Sequence, residues 1–122
     1  MDDAVQDEIF QSLKKMLEPY APKMDVKADS EESFYLDCKK EVKKGYPMFF
    51  GAVRRGKSYI SYYLMPVYAQ PSLLEGMSPE LKKRMQGKSC FNFKKPEPAL
   101  FEELNQLTKR GFECYKKDGW VD

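Results

Sequence analysis

Apolar residues recur along the chain with two different periods, and the change of period separates predicted helices from predicted strands. In residues 3–20 and again in residues 98–114, apolar side chains return every three or four positions, which is the spacing of an amphipathic helix. Between these segments, apolar and polar residues alternate one by one, as they do in strands that bury one face. The pattern therefore predicts a helix near each end of the chain and a sheet between them.

The clearest pair of strands is predicted at residues 49–53 and 58–65, on either side of the charged loop Arg54-Arg55-Gly56-Lys57. The first run is apolar and the second is rich in β-branched and aromatic residues, and both suit a pleated sheet. We expect Gly56 to supply the positive φ that a short hairpin loop needs. In the second strand, alternation places Ile60, Tyr62 and Leu64 on one face and Tyr59, Ser61, Tyr63 and Met65 on the other.

Two further strands are predicted before this hairpin, at residues 24–29 and 34–39, with a short polar connection between them. Residues 39–45 are highly charged and are predicted to form a loop or a strand end. Four successive strands with tight connections indicate an antiparallel meander.

The segment after the hairpin leaves the sheet, because Pro66 lacks the amide hydrogen that a strand ladder needs. Ser78 followed by Pro79 predicts the start of a short helix with the serine as its cap, and Gly87 is expected to end this helix about two turns later. A short fifth strand is predicted at residues 89–94.

These elements predict one α+β domain over residues 1–122, with an antiparallel sheet of about five strands and a helix at each end. A chain of this length buries roughly two-thirds of its unfolded surface, which is enough for one core. Gly111 interrupts the last helix, and we interpret it either as a site of close packing or as the end of that helix.

The composition of the chain bears on whether the protein binds nucleic acid, crosses a membrane or is secreted. The net charge of +2 is too small to require nucleic acid or an anionic membrane as a partner, and from this balance we expect neither. No apolar run approaches the ~20 residues of a membrane helix, and the first residues lack the features of a secretory signal. Three cysteines, an odd number without CxxC spacing, favour reduced thiols and a cytoplasmic location. We expect a monomer or a weak dimer.

The sequence contains no histidine, which excludes any mechanism that uses imidazole as a base or a metal ligand. No other catalytic signature is present, so the chain is predicted to be a non-catalytic binding or accessory domain whose cofactor, if any, is unknown. Its partner is expected to be a small ligand or another protein. An enzyme with Cys90 as the nucleophile is the last alternative, since a neighbouring cation can lower the pKa of a thiol.

A group of basic residues suggests a different function, the binding of phosphate or nucleic acid. Aromatic side chains on the more polar sheet face, Tyr59 and Tyr63, offer stacking surface for bases. The alternative is that these charges are only solvated and keep the loops in water. The basic residues lie in the hairpin tip and around the short helix: Arg54, Arg55, Lys57, Lys82, Lys83, Arg84 and Lys88.

Two smaller sets of residues are candidates for other sites. Tyr62, Tyr63, Tyr68 and Cys90 are a candidate lining for a small-molecule pocket between the sheet and a helix, with core packing as the alternative. The acidic residues of the first helix complement the helix dipole, or alternatively offer oxygen ligands to a hard cation. These acidic residues are Asp2, Asp3, Asp7 and Glu8.

Three segments resemble the YdhG-like family of small bacterial domains of unknown function: residues 45–49, 57–68 and 87–94. The resemblance covers the chain from Gly45 to the last helix. It implies an α+β fold with the terminal helices packed on one face of an antiparallel sheet. One member of the family is linked to frataxin-type iron handling, and if that link applies to this chain, the acidic residues of the first helix are the ones implied to bind iron.

Overall fold

The computed structural model describes residues 3–121, and Asp2 therefore lies outside the described residues. Within this range the chain forms four α-helices and six β-strands. The helices are α1 (Asp3–Leu17), α2 (Met65–Ala69), α3 (Pro79–Lys82) and α4 (Pro98–Lys117). The strands are β1 (Asp25–Asp29), β2 (Ser33–Lys43), β3 (Tyr46–Arg55), β4 (Ile60–Leu64), β5 (Met85–Gln86) and β6 (Cys90–Phe93). Two 3₁₀ segments, Glu18–Lys23 and Pro71–Leu74, connect these elements.

The six strands form one antiparallel sheet in the order β1-β2-β3-β4-β6-β5. The first four strands are the predicted meander, and the α+β class is confirmed. The sheet has six strands rather than about five, because residues 85–86 pair with β6 instead of continuing the preceding helix. One outer strand, β1, carries charged residues at alternate positions, and the other, β5, is two residues long.

Helices α1 and α4 cover one face of the sheet and enclose the core with it. The predicted inner face of β4 is confirmed, since Ile60, Tyr62 and Leu64 are fully buried. Ser61, on the other face of this strand, is 6% exposed because its neighbours cover it as well. Every helix contributes a buried side chain, among them Phe10 from α1 and Leu104 from α4. The opposite face, which we call the open face, carries the other set of strand side chains: Tyr35, Asp37, Phe49, Ala52, Arg54, Ser61, Tyr63, Cys90 and Asn92.

A β-bulge in β3 changes which phenylalanine enters the core. Leu36 of β2 pairs with Gly51 and Asp37 pairs with Phe49, so Phe50 is an extra residue on β3. The Phe50 ring is fully buried and makes an edge contact with Tyr115, whereas Phe49 lies on the open face. Without the bulge, strict alternation would exchange these two rings.

Two glycine predictions were wrong. Gly56 does not have a positive φ, and it is required for another reason: a Cβ atom there would lie 2.8 Å from the backbone oxygen of Tyr59. Gly87 does not end α3, because that helix stops at Lys82 and Gly87, with φ of +79°, forms the turn between β5 and β6. The predicted cap is confirmed, since the Ser78 hydroxyl accepts a hydrogen bond from the Leu81 amide at 3.2 Å.

Gly111 marks close packing rather than a helix end. It is buried within α4, which continues to Lys117. A Cβ atom at this position would lie 2.9 Å from Cβ of Pro66, so the absence of a side chain allows α2 to approach α4. No helix among residues 3–121 has both the length and the apolar character to cross a membrane.

Candidate functional site

A groove lies where β4, β6 and β5 meet the edge of the open face. Its volume is about 760 Å³. We call it the basic groove because four of its lining residues are cationic, while the described lining includes one carboxylate, that of Glu97. The cationic residues are Lys83, Arg84, Lys94 and Lys95, and the remaining polar lining is Tyr59, Gln86 and Asn92.

The one carboxylate of the basic groove is already bound to one of its cations. Nε and Nη2 of Arg84 each donate a hydrogen bond of 2.7 Å to Glu97, in the bidentate geometry that is strongest for this pair. Hydrogen bonding from Arg84 lowers the pKa of Glu97, so the carboxylate stays ionised. The positive charge of Lys95 contributes to the same lowering of this pKa. The groove keeps an excess of positive charge for a ligand, although each exposed lysine contributes only a modest energy.

Hydrogen bonds to α4 and within the sheet fix the wall of the basic groove. The amide and hydroxyl groups of Ser78, which caps α3, donate to the Glu103 carboxylate at 2.8 and 2.6 Å. The backbone oxygen of Arg84 accepts from the Asn92 amide at 2.8 Å, which joins the end of α3 to β6. The Asn92 side chain donates to Gln86 Oε1 at 2.7 Å and accepts from the Ser61 hydroxyl at 2.7 Å. The polar groups of the groove are therefore held in place.

A second groove, of about 660 Å³, lies over the centre of the open face. We call it the aromatic groove, because Tyr35, Phe49 and Tyr63 line it around Ala52. The Tyr35 and Phe49 rings stack with their centroids 4.7 Å apart. The rim contains Glu32, Ser33, Arg54 and Arg55. This groove offers flat apolar surface with polar groups at its border.

The structure divides the predicted basic residues among several places. Lys83 and Arg84 line the basic groove, and Arg54 is exposed at the rim of the aromatic groove. Lys88 lies over the Tyr68 ring, 5.7 Å from its centroid. Lys57 and Lys82 are exposed and line neither groove.

Arg55 has a structural role in addition to its position at the rim. Nη2 of Arg55 donates to Asp7 at 2.6 Å, and Nε donates to the backbone oxygen of Glu31 at 3.1 Å. The guanidinium also lies 5.3 Å from the centroid of the Phe10 ring. These contacts join the hairpin tip to α1, and they occupy the groups of Arg55 that would otherwise bind an anion.

The residues of the predicted small-molecule pocket lie on opposite sides of the sheet. Tyr62 is fully buried in the core, where its hydroxyl group is 2.6 Å from Thr108 Oγ1. Tyr63 is on the open face, where it is the cross-strand neighbour of Cys90, and Tyr68 is exposed on α2. Successive strand residues point to opposite faces, so Tyr62 and Tyr63 do not share a pocket.

The geometry around Cys90 does not favour a reactive thiol. Burial raises the pKa of the Cys90 thiol, and hydrogen bonding with Ser61 and Tyr63 only partly opposes this effect. The thiol donates to Asn92 Oδ1 at 3.3 Å, so its proton has an acceptor. A thiol of this kind is mostly protonated at neutral pH and is a weak nucleophile.

The acidic residues of α1 are not assembled into a metal site in the described part of the chain. Asp3, Asp7 and Glu8 are exposed, and Asp7 is paired with Arg55. Among residues 3–121, no three side chains of the types that bind metals come together. Binding of iron at α1 stays a prediction.

Sequence reasoning missed several residues that line the two grooves, among them Lys94, Lys95 and Tyr35. Lys94 and Lys95 follow β6 directly, and two adjacent lysines at a strand end are a signal that could have been used. Tyr35 alternates with the apolar residues of its strand, but its contact with Phe49 depends on the bulge, which alternation does not predict.

Comparisons with protein-family models, with curated proteins and with solved structures find no match to this chain. Membership of the YdhG-like family therefore stays a prediction. The function is inferred below from the two grooves of the open face.

Proposed function

We propose that this protein is a non-catalytic binding domain that holds a phosphate-bearing ligand in the basic groove. The observation that supports this function is the excess of cations in one concave surface: four basic side chains and one carboxylate, which is bound to Arg84. The chain as a whole has a charge of only +2, so the groove concentrates positive charge locally.

A phosphate group fits the chemistry of this lining. Lysine ammonium groups donate in several directions and act as point charges toward phosphate oxygens. The carboxamides of Gln86 and Asn92 lie beside them as fixed polar groups. A phosphate bears up to two charges and presents several acceptor oxygens, so it can contact more than one lysine at once.

The proposal includes a cytoplasmic location and a monomer or weak dimer, as predicted from the sequence. The cysteines support the location, since Cys38, Cys90 and Cys114 are all free thiols.

The proposal is tested by calorimetric titration of the full chain with inorganic pyrophosphate at low ionic strength. The variant Lys94→Gln/Lys95→Gln removes two charges from the groove, and a matched control, Lys116→Gln/Lys117→Gln, removes two exposed charges at the end of α4. Each exposed ion pair contributes about 0.2–1 kcal/mol, so the groove variant should bind roughly two- to thirty-fold more weakly than the native chain. The control should bind as the native chain does.

Binding should also weaken as the salt concentration rises, because exposed charges are screened. Equal losses in the groove variant and in the control would mean that pyrophosphate responds to net charge and not to the groove. No binding at low ionic strength would reject the proposed function.

A further inference from the structure

The aromatic groove contains a gap between two tyrosines. Tyr35 on β2 and Tyr63 on β4 both pair with Ala52 on β3, so the three residues lie in one row across the sheet. Adjacent strands are ~4.8 Å apart, and the backbones of the two tyrosines are therefore ~9.6 Å apart. Stacked aromatic rings have centroids ~4.5–7 Å apart, so a flat ring that enters the groove can stack on one of these tyrosines.

The residue between the tyrosines keeps the gap open. Ala52 lines the base of the groove with only a methyl group, and it is 3% exposed because the larger side chains around it cover most of it. Phe49 stacks on Tyr35 and extends the aromatic wall at one end. Arg54 and Ser33 provide polar groups at the rim. The groove is thus shaped for a flat ring with polar edges.

The two grooves lie on one surface, within reach of a single ligand. Asn92, which lines the basic groove, is the cross-strand partner of Ser61, and Ser61 lies two residues before Tyr63 of the aromatic groove on β4. The two grooves therefore border the same part of the open face. A strand of nucleic acid contains several bases and phosphates joined by sugars, so one strand can occupy both grooves.

We propose that the aromatic groove holds an unpaired base, and that the ligand of the open face is a segment of single-stranded nucleic acid whose phosphates lie at the lysines of the basic groove. This inference rests on the proposed function, because the phosphates of the strand are the ligand of the basic groove. Base stacking on aromatic side chains combined with a basic channel is the general mode by which proteins hold single strands.

Charge complementarity distinguishes this ligand from other partners. The charges at the rim of the aromatic groove are largely balanced, since Glu32 lies there with Arg54 and Arg55, and Arg55 is paired with Asp7, whereas the basic groove has an excess of three positive charges. A nucleic acid strand has the same arrangement, since its bases are neutral and its phosphates are negative. A duplex keeps its bases stacked inside, so it cannot insert one into the gap between Tyr35 and Tyr63.

The experiment uses fluorescence anisotropy with short labelled single strands, oligothymidylate and oligouridylate, and with a duplex of equal length. The variant Ala52→Leu fills the gap between the tyrosines from below, and Tyr63→Leu removes one wall. The control is Tyr46→Ala, which removes an exposed aromatic ring outside both grooves. Circular dichroism verifies that each variant is folded, and pyrophosphate titration is repeated on each.

We expect each groove variant to bind single strands roughly tenfold more weakly than the native chain, as loss of one stacked base implies. Both should bind pyrophosphate normally, and Tyr46→Ala should match the native chain in both assays. Tighter binding of oligouridylate would identify RNA as the preferred ligand, and tighter binding of oligothymidylate would identify DNA.

Two results would overturn this inference and keep the proposed function: native binding of single strands by both groove variants, or equal affinity for the duplex. A chain that binds neither pyrophosphate nor any oligonucleotide would overturn the proposed function as well. If Ala52→Leu is unfolded, Tyr63→Leu decides the question alone.

Discussion

A buried pair of hydroxyl groups joins the sheet to α4 and allows a quantitative prediction. Tyr62 of β4 and Thr108 of α4 are both fully buried, and their oxygen atoms are 2.6 Å apart. The Thr108 hydroxyl donates its proton to the backbone oxygen of Leu104 at 2.9 Å. The proton of the bond between the two side chains is therefore supplied by Tyr62.

This direction of donation makes the two single substitutions unequal. Tyr62→Phe removes the donor, while Thr108 keeps its bond to Leu104, so the free energy of unfolding should fall by about 0.5–1.5 kcal/mol. Thr108→Val leaves the Tyr62 proton buried without an acceptor, which costs about 1–3 kcal/mol. The double variant removes both polar groups and should be more stable than Thr108→Val alone.

The assay is urea unfolding of the native chain and the three variants. The fluorescence of Trp120, which packs against the core, and circular dichroism both report the transition. A change of midpoint with an unchanged slope identifies a change of stability. If the double variant loses the sum of the two single losses, or if Tyr62→Phe is the more destabilised single variant, the assigned direction of donation is wrong.

Two further predictions concern the thiols and the hairpin tip. Burial raises the pKa of Cys38 to about 11 and also raises the pKa of Cys90. At pH 7, iodoacetamide should therefore modify Cys90 more slowly than free cysteine, and it should modify Cys38 only after unfolding. A faster reaction of Cys90 than of free cysteine would support the enzyme hypothesis. Gly56→Ala should lower the free energy of unfolding by about 1–3 kcal/mol, since the new methyl group would lie 2.8 Å from the Tyr59 backbone oxygen. An unchanged urea midpoint would show that the loop can move away from this contact with no loss of stability.

The architecture was predictable from the sequence where one local signal determined each element. Helices α1 and α4 follow from their apolar stripes, and the meander follows from alternation in β2 and β4. The cap at Ser78 was predictable because its hydroxyl bonds an amide only three residues away.

The errors arose where tertiary pairing competes with a local signal. Gly87 resembles a helix end, but residues 85–86 gain strand bonds to β6 that a longer α3 would lack. In the same way, the choice between the two interpretations of Gly111 depends on Pro66, which is distant in sequence.

The candidate site was less predictable than the fold, because it depends on which side chains share a face. Basic residues were identified by their position in loops. The structure shows that Arg55 forms a salt bridge with Asp7. It also shows that Lys94 lies near Lys83 because β5 pairs with β6. The aromatic groove depends on the bulge that turns Phe49 outward. Neither the ion pair nor the bulge has a signature in the spacing of residues.

The two outer strands of the sheet restrict how this protein can recognise a partner. Many domains bind an extended peptide by adding it to an exposed sheet edge through backbone hydrogen bonds. Here one edge, β5, offers a ladder only two residues long. At the other edge, β1 has charged residues at alternate positions, Asp25, Lys27 and Asp29, and an irregular register with β2. Both features oppose the addition of a strand, so we expect this protein to recognise a partner through side chains and not through the backbone of an edge strand.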